Sequence, residues 1–223
     1  MATQLVMTAI AKPTWGGKRK GAGRKPKRNV AGVSHMSRPF LEAAHPVLVT
    51  ERFVRELPSM REPELGRGIA QMIKASHTRT FRVIHFSIQG DHLHLIVEAG
   101  SKRSLARGMQ GLNIRISRRI NRMLGRNGKV FTDRYHARAL GTPREARNGI
   151  RYVLSNWLKH VDGARGIDPY SSGRWFTGWT VAPPVPDTPA PTAPPLTWLA
   201  VKGWRLRGGP LSPAERPGRA AEI

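Results

Sequence analysis

Alternating apolar and polar positions in residues 81–98 predict two β-strands joined by a tight turn. Gln89-Gly90 is the predicted two-residue turn, because glycine readily adopts a positive φ. Pairing across this turn sets Phe86 against Leu93 and Ile84 against Leu95 on an apolar face. On the opposite face it sets His85 beside His94 and Ser87 beside His92.

The second of these strands carries an H-x-H pattern, Asp91-His92-Leu93-His94-Leu95. Successive side chains of a strand point to opposite faces, so His92 and His94 share one surface while the leucines face a core. Two imidazoles on one face could bind a divalent metal ion. The same pattern also occurs as a pair of partly exposed strand histidines, so the local pattern leaves both interpretations open.

The other elements follow from the spacing of apolar residues. In chain order we predict a strand at 45–50, a helix at 63–77, the hairpin, a helix at 101–124, a strand at 130–140 and a helix from Thr142 to about His160. The last helix has a strong start signal, since Thr142 and Glu145 form a capping box with Pro143 at the first helical position. Its predicted buried stripe is Ala146, Ile150, Val153 and Trp157.

This order of elements predicts an α+β, ferredoxin-like split βαβ fold with a four-stranded antiparallel sheet. One sheet face is expected to take the first two helices. The face with the histidines is then free to receive the final helix. Tyr152 and Asn156 lie one turn apart on the flank of that helix's apolar stripe. We therefore expect both side chains near the histidines, where Asn156 could offer its amide oxygen to the same metal ion.

The chain is strongly basic, with 38 Lys and Arg against 14 Asp and Glu and a net charge of +24 in 223 residues. Such a field recruits polyanions, which favours nucleic acid as the partner. The chain contains no cysteine, so any metal must use nitrogen and oxygen ligands. We expect no signal peptide at residues 1–11, and no apolar run in the sequence approaches the roughly 20 residues that span a membrane. We expect a cytoplasmic protein with no membrane partner.

Composition divides the chain into five predicted parts. These are a disordered basic arm at 1–41, a folded domain at 42–162, an aromatic and Gly-rich extension at 163–180, a Pro-rich linker at 181–197 and a short basic C-terminal element at 198–223. The last part could dock on the domain or make a second nucleic-acid contact.

Two groups of basic side chains are predicted to contact DNA phosphates. The first lies in the arm and consists of Lys18, Arg19, Lys20, Arg24, Lys25, Lys27 and Arg28. The second lies on the second helix and consists of Arg115, Arg118, Arg119 and Arg122. The alternatives are a solubilising tail for the arm and a solvated surface for the helix.

With these motifs the chain resembles the IS200/IS605-like single-tyrosine (Y1) transposases of the HUH class, and within them the REP-associated tyrosine transposases (RAYTs). The resemblance covers about residues 45–160. It rests on Asp91 to Leu95, on the stretch from Ile120-Asn121-Arg122 to Arg134-Tyr135, on Tyr152-Val153-Leu154-Ser155-Asn156 and on the Gly-rich arm at 17–25. Many relatives have Met-Pro-Asn where this chain has Gln89-Gly90-Asp91, and the long C-terminal part lies outside the resemblance.

The resemblance implies that residues 42–162 are the catalytic domain, in which His92, His94 and Asn156 hold Mg²⁺ or Mn²⁺. It implies that Tyr152 attacks single-stranded or hairpin DNA and forms a 5′-phosphotyrosine link that a 3′-OH can reverse. It also implies a homodimer that acts in the bacterial cytoplasm, at the nucleoid.

Two other functions are compatible with the same residues. A ferredoxin-like sheet can bind nucleic acid without catalysis. Alternatively, a metal-dependent phosphodiesterase could use water as the nucleophile and keep the tyrosine for packing. Of the other two tyrosines, Tyr135 is expected to pack in the sheet and Tyr170 is expected to lie beyond the compact core.

Overall fold

The computed structural model describes residues 41–184 and 186–218, and they contain a four-stranded antiparallel sheet in the order β2-β3-β1-β4. The strands are β1 (Val47–Arg52), β2 (Phe81–Ile88), β3 (His92–Ala99) and β4 (His136–Ala139). The predicted α+β, ferredoxin-like fold is therefore confirmed. The first strand begins two residues later than predicted, and the fourth is shorter. The predicted basic arm, with its lysines and arginines from Lys18 to Arg28, lies outside the described residues.

Five α-helices and two 3₁₀ helices complete the described elements. They are α1 (Pro63–Lys74), α2 (Lys102–Met123), α3 (Pro143–Ser155), α4 (Trp157–His160), α5 (Trp198–Val201) and the 3₁₀ helices Ser172–Trp175 and Gly203–Leu206. Ser101 caps α2 by accepting a hydrogen bond from the Ser104 backbone N–H. Thr142 caps α3 in the same way. None of these described helices is long and apolar enough to cross a membrane.

The two faces of the sheet bury different sets of side chains. Val49, Leu95 and Val97 point to the face that α1 and α2 cover, and they share a core with Ile69 and Leu112. We call the other surface the histidine face, because it carries His92 and His94 of β3. It is covered by α3 and by segments near the C-terminus, as the position of Ile96 in a second core shows.

The register of the β2-β3 hairpin differs from the predicted one. Phe86 pairs with Leu95 and Ser87 with His94, and the alternation breaks between Val83 and His85. The Gln89 N–H donates to the His92 carbonyl, so Gly90 and Asp91 are the two central residues of the turn, one position later than predicted. Moving the turn by one position shifts the pairing by two residues, so that Ile88 pairs with Leu93. The bulge moves Ile84, predicted on the apolar face with Leu95, into the second core on the histidine face.

Residues 163–218, which we call the C-terminal extension, pack on the histidine face. Trp179, Leu199, Trp204 and Leu211 are buried there. The described residues of the Pro-rich segment 181–197 form neither helix nor strand, and the segment is hydrogen-bonded to the sheet. The Ala193 N–H donates to the Val83 carbonyl, and the Leu196 and Thr197 N–H groups donate to the Glu98 carboxylate. The sequence left open whether the basic C-terminal element at 198–223 docks on the domain, and its described residues do dock there.

An ion-pair cluster fastens the end of the extension to α3. Glu215 accepts hydrogen bonds from the buried Arg147 at 2.8 and 3.1 Å and from Arg151 at 3.0 Å. Burial alone would raise the pKa of the Glu215 carboxyl, but these hydrogen bonds outweigh it and hold the pKa below its ordinary value of 4.5. The carboxylate therefore stabilises the fold above pH 4.5, and this contribution is lost as the pH falls through the lowered pKa.

We predict that Glu215→Gln lowers the thermal midpoint at pH 7 by about 4–8 °C, which corresponds to about 2 kcal/mol of lost charge-assisted hydrogen bonding. The difference between the two proteins should shrink as the pH falls below 4.5, where the carboxyl of the unfolded chain binds a proton, and should be lost once the pH passes the lowered pKa of the native carboxyl. Thermal melts followed by circular dichroism between pH 3 and pH 8 measure both effects. Glu56→Gln, on an exposed turn, is the matched control. A difference that stays constant down to pH 3 would contradict the role given to the carboxylate.

Candidate active site

The two histidines of the H-x-H pattern lie side by side on β3, with their ring centroids 4.6 Å apart. Their neighbours are set by the strand register. Thr50 of β1 and Ser87 of β2 flank His94 on either side. The predicted neighbour of His94 was His85, which instead pairs with Ile96 because of the shifted register.

Both imidazole rings are held through their Nδ1 atoms. His94 Nδ1 lies 3.0 Å from Thr50 Oγ1, and His92 Nδ1 lies 2.6 Å from Asp91 Oδ1. A carboxylate or hydroxyl that accepts from Nδ1–H fixes the tautomer and leaves the Nε2 lone pair for another partner. Burial lowers the pKa of His94 to about 3, and the neighbouring imidazole of His92 acts in the same direction. His94 is therefore neutral at physiological pH and can act as a ligand.

Tyr152 and Asn156 approach His94 from α3, across the interface between helix and sheet. The Tyr152 hydroxyl lies 3.4 Å from His94 Nε2, and the Asn156 side-chain nitrogen lies 3.0 Å from the same atom. Rotation of the amide by 180° would bring its oxygen to that position. Asn156 is buried and Tyr152 is half-buried, and burial raises the pKa of the tyrosine hydroxyl above its ordinary value. The sequence-predicted residues thus come together within one chain.

These side chains offer donors that fit a divalent cation. Within the described residues no three His, Cys, Asp or Glu side chains form a group that could hold a metal. A site here therefore needs the amide oxygen of Asn156 beside the Nε2 atoms of His92 and His94. Imidazole nitrogen and amide oxygen are both ordinary ligands of divalent ions. The orientation of both rings through Nδ1 is the arrangement that metal-binding histidines require.

His160 is a further residue of this cluster that the sequence analysis missed. Its ring centroid lies 5.5 Å from that of His92. Burial lowers its pKa, and the neighbouring His92 adds to this effect. The signal was present in the sequence, since Tyr152, Asn156 and His160 follow one another at intervals of four residues. α3 ends at Ser155 and α4 begins at Trp157, but Asn156 between them keeps a helical φ of −60° and ψ of −32°, and His160 reaches the site.

The predicted core residue Trp157 lies instead at the edge of the site. It is half-buried, its Nε1–H donates to the Gly166 carbonyl, and the Arg61 guanidinium lies 6.0 Å from its ring. Trp157 is the first residue of α4, and the buried residue of that short helix is Leu158. Leu154, the neighbour of Val153 in the chain, is buried in the second core instead.

A buried ion pair lies next to Ser87, the residue of β2 that pairs with His94. Arg61 donates to both carboxylate oxygens of Asp168, at 3.0 and 2.8 Å, and Asp168 is fully buried. Ser87, the register neighbour of His94, lies 3.4 Å from the same carboxylate. The C-terminal extension is therefore connected to the strand beside the histidines. The sequence analysis missed this pair because 107 residues separate its members.

The predicted DNA-binding arginines of α2 lie in the other layer of the fold. Arg115, Arg118 and Arg122 are exposed and Arg119 is half-buried, on a helix that packs against the sheet face opposite the histidines. The structure does not bring them to the site. Exposed basic groups closer to it are Arg52, which pairs in register with His92, and His136, which pairs with Thr50.

Comparison with known proteins gives two matches and one negative result. Residues 44–156, half of the chain, match the sequence profile of the family described as "Transposase IS200 like". Among solved structures, the chain is similar to the one described as "Structure of the REP associates tyrosine transposase bound to a REP hairpin". The identity is 13%, the TM-score is 0.49, and the alignment covers 62% of this chain and 82% of that chain. No curated protein gives a significant match.

We predict that Thr50→Val weakens binding of Mn²⁺ by about 10- to 100-fold, the usual effect of removing the group that orients a histidine ligand. Valine has nearly the shape of threonine but cannot hold His94 Nδ1. Thr50→Ser keeps the hydroxyl and should bind Mn²⁺ like the native protein. Isothermal titration of the purified proteins with Mn²⁺ measures the change. Equal affinity of the valine variant and the native protein would show that Thr50 does not position His94 for a metal.

Proposed function

Because the chain belongs to the IS200-like transposase family and acts on DNA as a HUH-type tyrosine transposase, we propose that it cleaves and rejoins single-stranded DNA through Tyr152. The proposed substrate is a strand that carries a hairpin of the REP type. The proposed cofactor is Mg²⁺ or Mn²⁺, held by His92, His94 and Asn156. Members of this family are metal-dependent in general, which agrees with the donors found at the site.

One observation carries the proposal: the Tyr152 hydroxyl lies 3.4 Å from His94 Nε2. A tyrosine that only filled space would not need its hydroxyl beside the nitrogen that the orientation of His94 leaves available. The other two tyrosines are in different surroundings. Tyr135 packs against the core on the opposite sheet face, and Tyr170 lies under the Arg61 guanidinium at 4.6 Å.

In the proposed reaction the Tyr152 oxygen attacks the phosphorus of a DNA phosphodiester in line with the leaving 3′-oxygen. The tyrosine loses its proton, the bond from phosphorus to the 3′-oxygen breaks, and that oxygen leaves as a 3′-OH. A divalent cation supplies positive charge that stabilises the negative charge on the phosphate oxygens and the tyrosinate. The ester link to Tyr152 preserves the energy of the broken bond, so a second 3′-OH can attack it and release the tyrosine.

The residues around Tyr152 have distinct proposed roles. Burial raises the pKa of the Tyr152 hydroxyl above its ordinary value, so loss of its proton requires positive charge placed beside it. Arg52 and His136 border the histidine face on its exposed side and are positioned to contact the DNA backbone. Because Tyr152 faces His94 of the same chain, the homodimer that the resemblance implies is not required to assemble this site.

The arginines of α2 are proposed to contact a part of the DNA away from the cleaved phosphodiester, because the sheet separates them from Tyr152. We predict that replacing Arg115, Arg118 and Arg122 together by Ala lowers the slope of log K against log salt by about 2 to 3, at about 0.7–0.9 per lost phosphate contact. Fluorescence anisotropy with a labelled hairpin oligonucleotide from 50 to 300 mM salt gives the slope. An unchanged slope would mean that these arginines form a solvated surface.

Covalent trapping tests the central proposal. The purified protein is incubated with end-labelled single-stranded DNA from the locus that flanks its gene, with Mn²⁺, and separated on a denaturing gel. We predict a protein-linked DNA species that disappears in Tyr152→Phe, in His92→Ala and in the presence of a chelator. Tyr170→Phe, a matched change of another tyrosine, should retain it.

Each of the other outcomes would contradict the proposal in a different way. Cleavage without a covalent species would show that water is the nucleophile and that the protein is a phosphodiesterase. Binding of the hairpin substrate without cleavage would show a non-catalytic DNA-binding protein. Equal adduct formation by Tyr152→Phe and the native protein would exclude Tyr152 as the nucleophile.

A further inference from the structure

A cavity of about 420 Å³ lies beside β2 on the histidine face, and its lining residues differ from those around Tyr152. Ile84 and His85 of β2 line one side. The rest of the lining comes from the C-terminal extension, including the Pro-rich segment, which contributes Ala193, Pro194 and Pro195. The match to the transposase family ends at residue 156, so these parts of the wall lie outside it.

Aromatic rings in fixed positions form much of this wall. Phe176 stands edge-on to His85, with centroids 5.3 Å apart, and lies 5.5 Å from the ring of Trp204. Trp175 is half-buried, and its Nε1–H donates to the Thr188 carbonyl at 2.9 Å, which fixes the ring. A partly exposed indole held in this way is a preset surface on which a planar ring can stack.

The polar groups of the cavity suit the edge of a nucleobase and its phosphate. His85 is buried, its Nδ1 lies 3.4 Å from the Ser172 hydroxyl, and Nε2 is the ring nitrogen left for a ligand, as donor or acceptor according to the tautomer. At the other side of the lining, Arg205 is exposed, and its guanidinium lies 4.5 Å over the ring of Trp204. No carboxylate belongs to the described residues that line the cavity. A negatively charged ligand would therefore meet one cationic side chain and no negatively charged one.

The position of the cavity connects it with the strand that Tyr152 would cut. His85 is two residues from Ser87 on β2, and Ser87 pairs with His94. This separation is about 7 Å along the strand and about 5 Å across to β3. A DNA strand bound at Tyr152 can reach the cavity within a few nucleotides.

We propose that this cavity binds one unstacked nucleobase of the DNA strand, with Trp175 as its stacking surface, His85 at its polar edge and Arg205 at its phosphate. The inference rests on the proposed function, because it takes the occupant from the same DNA strand. It gives the C-terminal extension a part in the recognition of single-stranded DNA.

Two labelled probes test the proposal: a 12-nucleotide DNA strand of mixed sequence, and a strand of equal length made of abasic deoxyribose phosphates. We expect Trp175→Ala to weaken binding of the first probe about five- to a hundredfold, the range for loss of one stacked base, and to leave binding of the abasic probe unchanged. Thr192→Phe, which places a ring in the cavity without removing its walls, should have the same selective effect. Trp198→Ala is the matched control, since Trp198 is 55% exposed and does not line the cavity.

Circular dichroism melts establish that each variant is folded, and Thr192→Phe decides the question if Trp175→Ala is unstable. The proposal is overturned if both variants bind the base-containing probe like the native protein, or if they weaken the two probes equally. The covalent adduct is measured on the same preparations. Absence of the adduct in the native protein contradicts the proposed function. A normal adduct with no selective effect of the two variants contradicts only the assignment of the cavity.

Discussion

The docking of α3 on the histidine face is the constraint on which the site depends. Ile150 and Val153 share a core with Ile96 of β3, and burial of such side chains contributes about 1.5–3 kcal/mol each. Gly149 allows the close approach, because a Cβ atom there would lie 2.8 Å from Leu140 Cδ1. Once this face of α3 is buried, the helical repeat fixes the direction in which the Tyr152 side chain points. Its hydroxyl lies beside the imidazole of His94, whose position is set by the register of the sheet.

The C-terminal extension is part of the same packing rather than an appendage. Trp204 is 1% exposed and belongs to the core under α3, while Glu98 accepts hydrogen bonds from the backbone of Leu196 and Thr197. Such a buried carboxylate is stable only with its partners in place. The ion pair of Arg61 and Asp168 ties the extension to the strand beside His94. The helix that carries Tyr152 is thus packed between the sheet and the C-terminal extension of its own chain.

The sequence was informative where local chemistry determines the structure. The spacing of apolar residues predicted the ends of α2 within one residue, and strand alternation put His92 and His94 on one face. It was less informative where distant residues decide. The bulge near Ile84 has no glycine or proline to mark it, and the pairing of Arg61 with Asp168 joins segments far apart in the chain.

The most direct measurement is the location of the DNA in the covalent complex. Trypsin cuts after Arg151 and after Lys159, so Tyr152 falls in a peptide that contains no other tyrosine. After nuclease and trypsin digestion, mass spectrometry should find a nucleotide attached through its 5′-phosphate to the peptide of residues 152–159, and only when Mn²⁺ was present. The same mass on the peptide of Tyr135 or Tyr170, or its absence from every peptide of a preparation that cleaves DNA, would contradict the assignment of Tyr152 as the nucleophile.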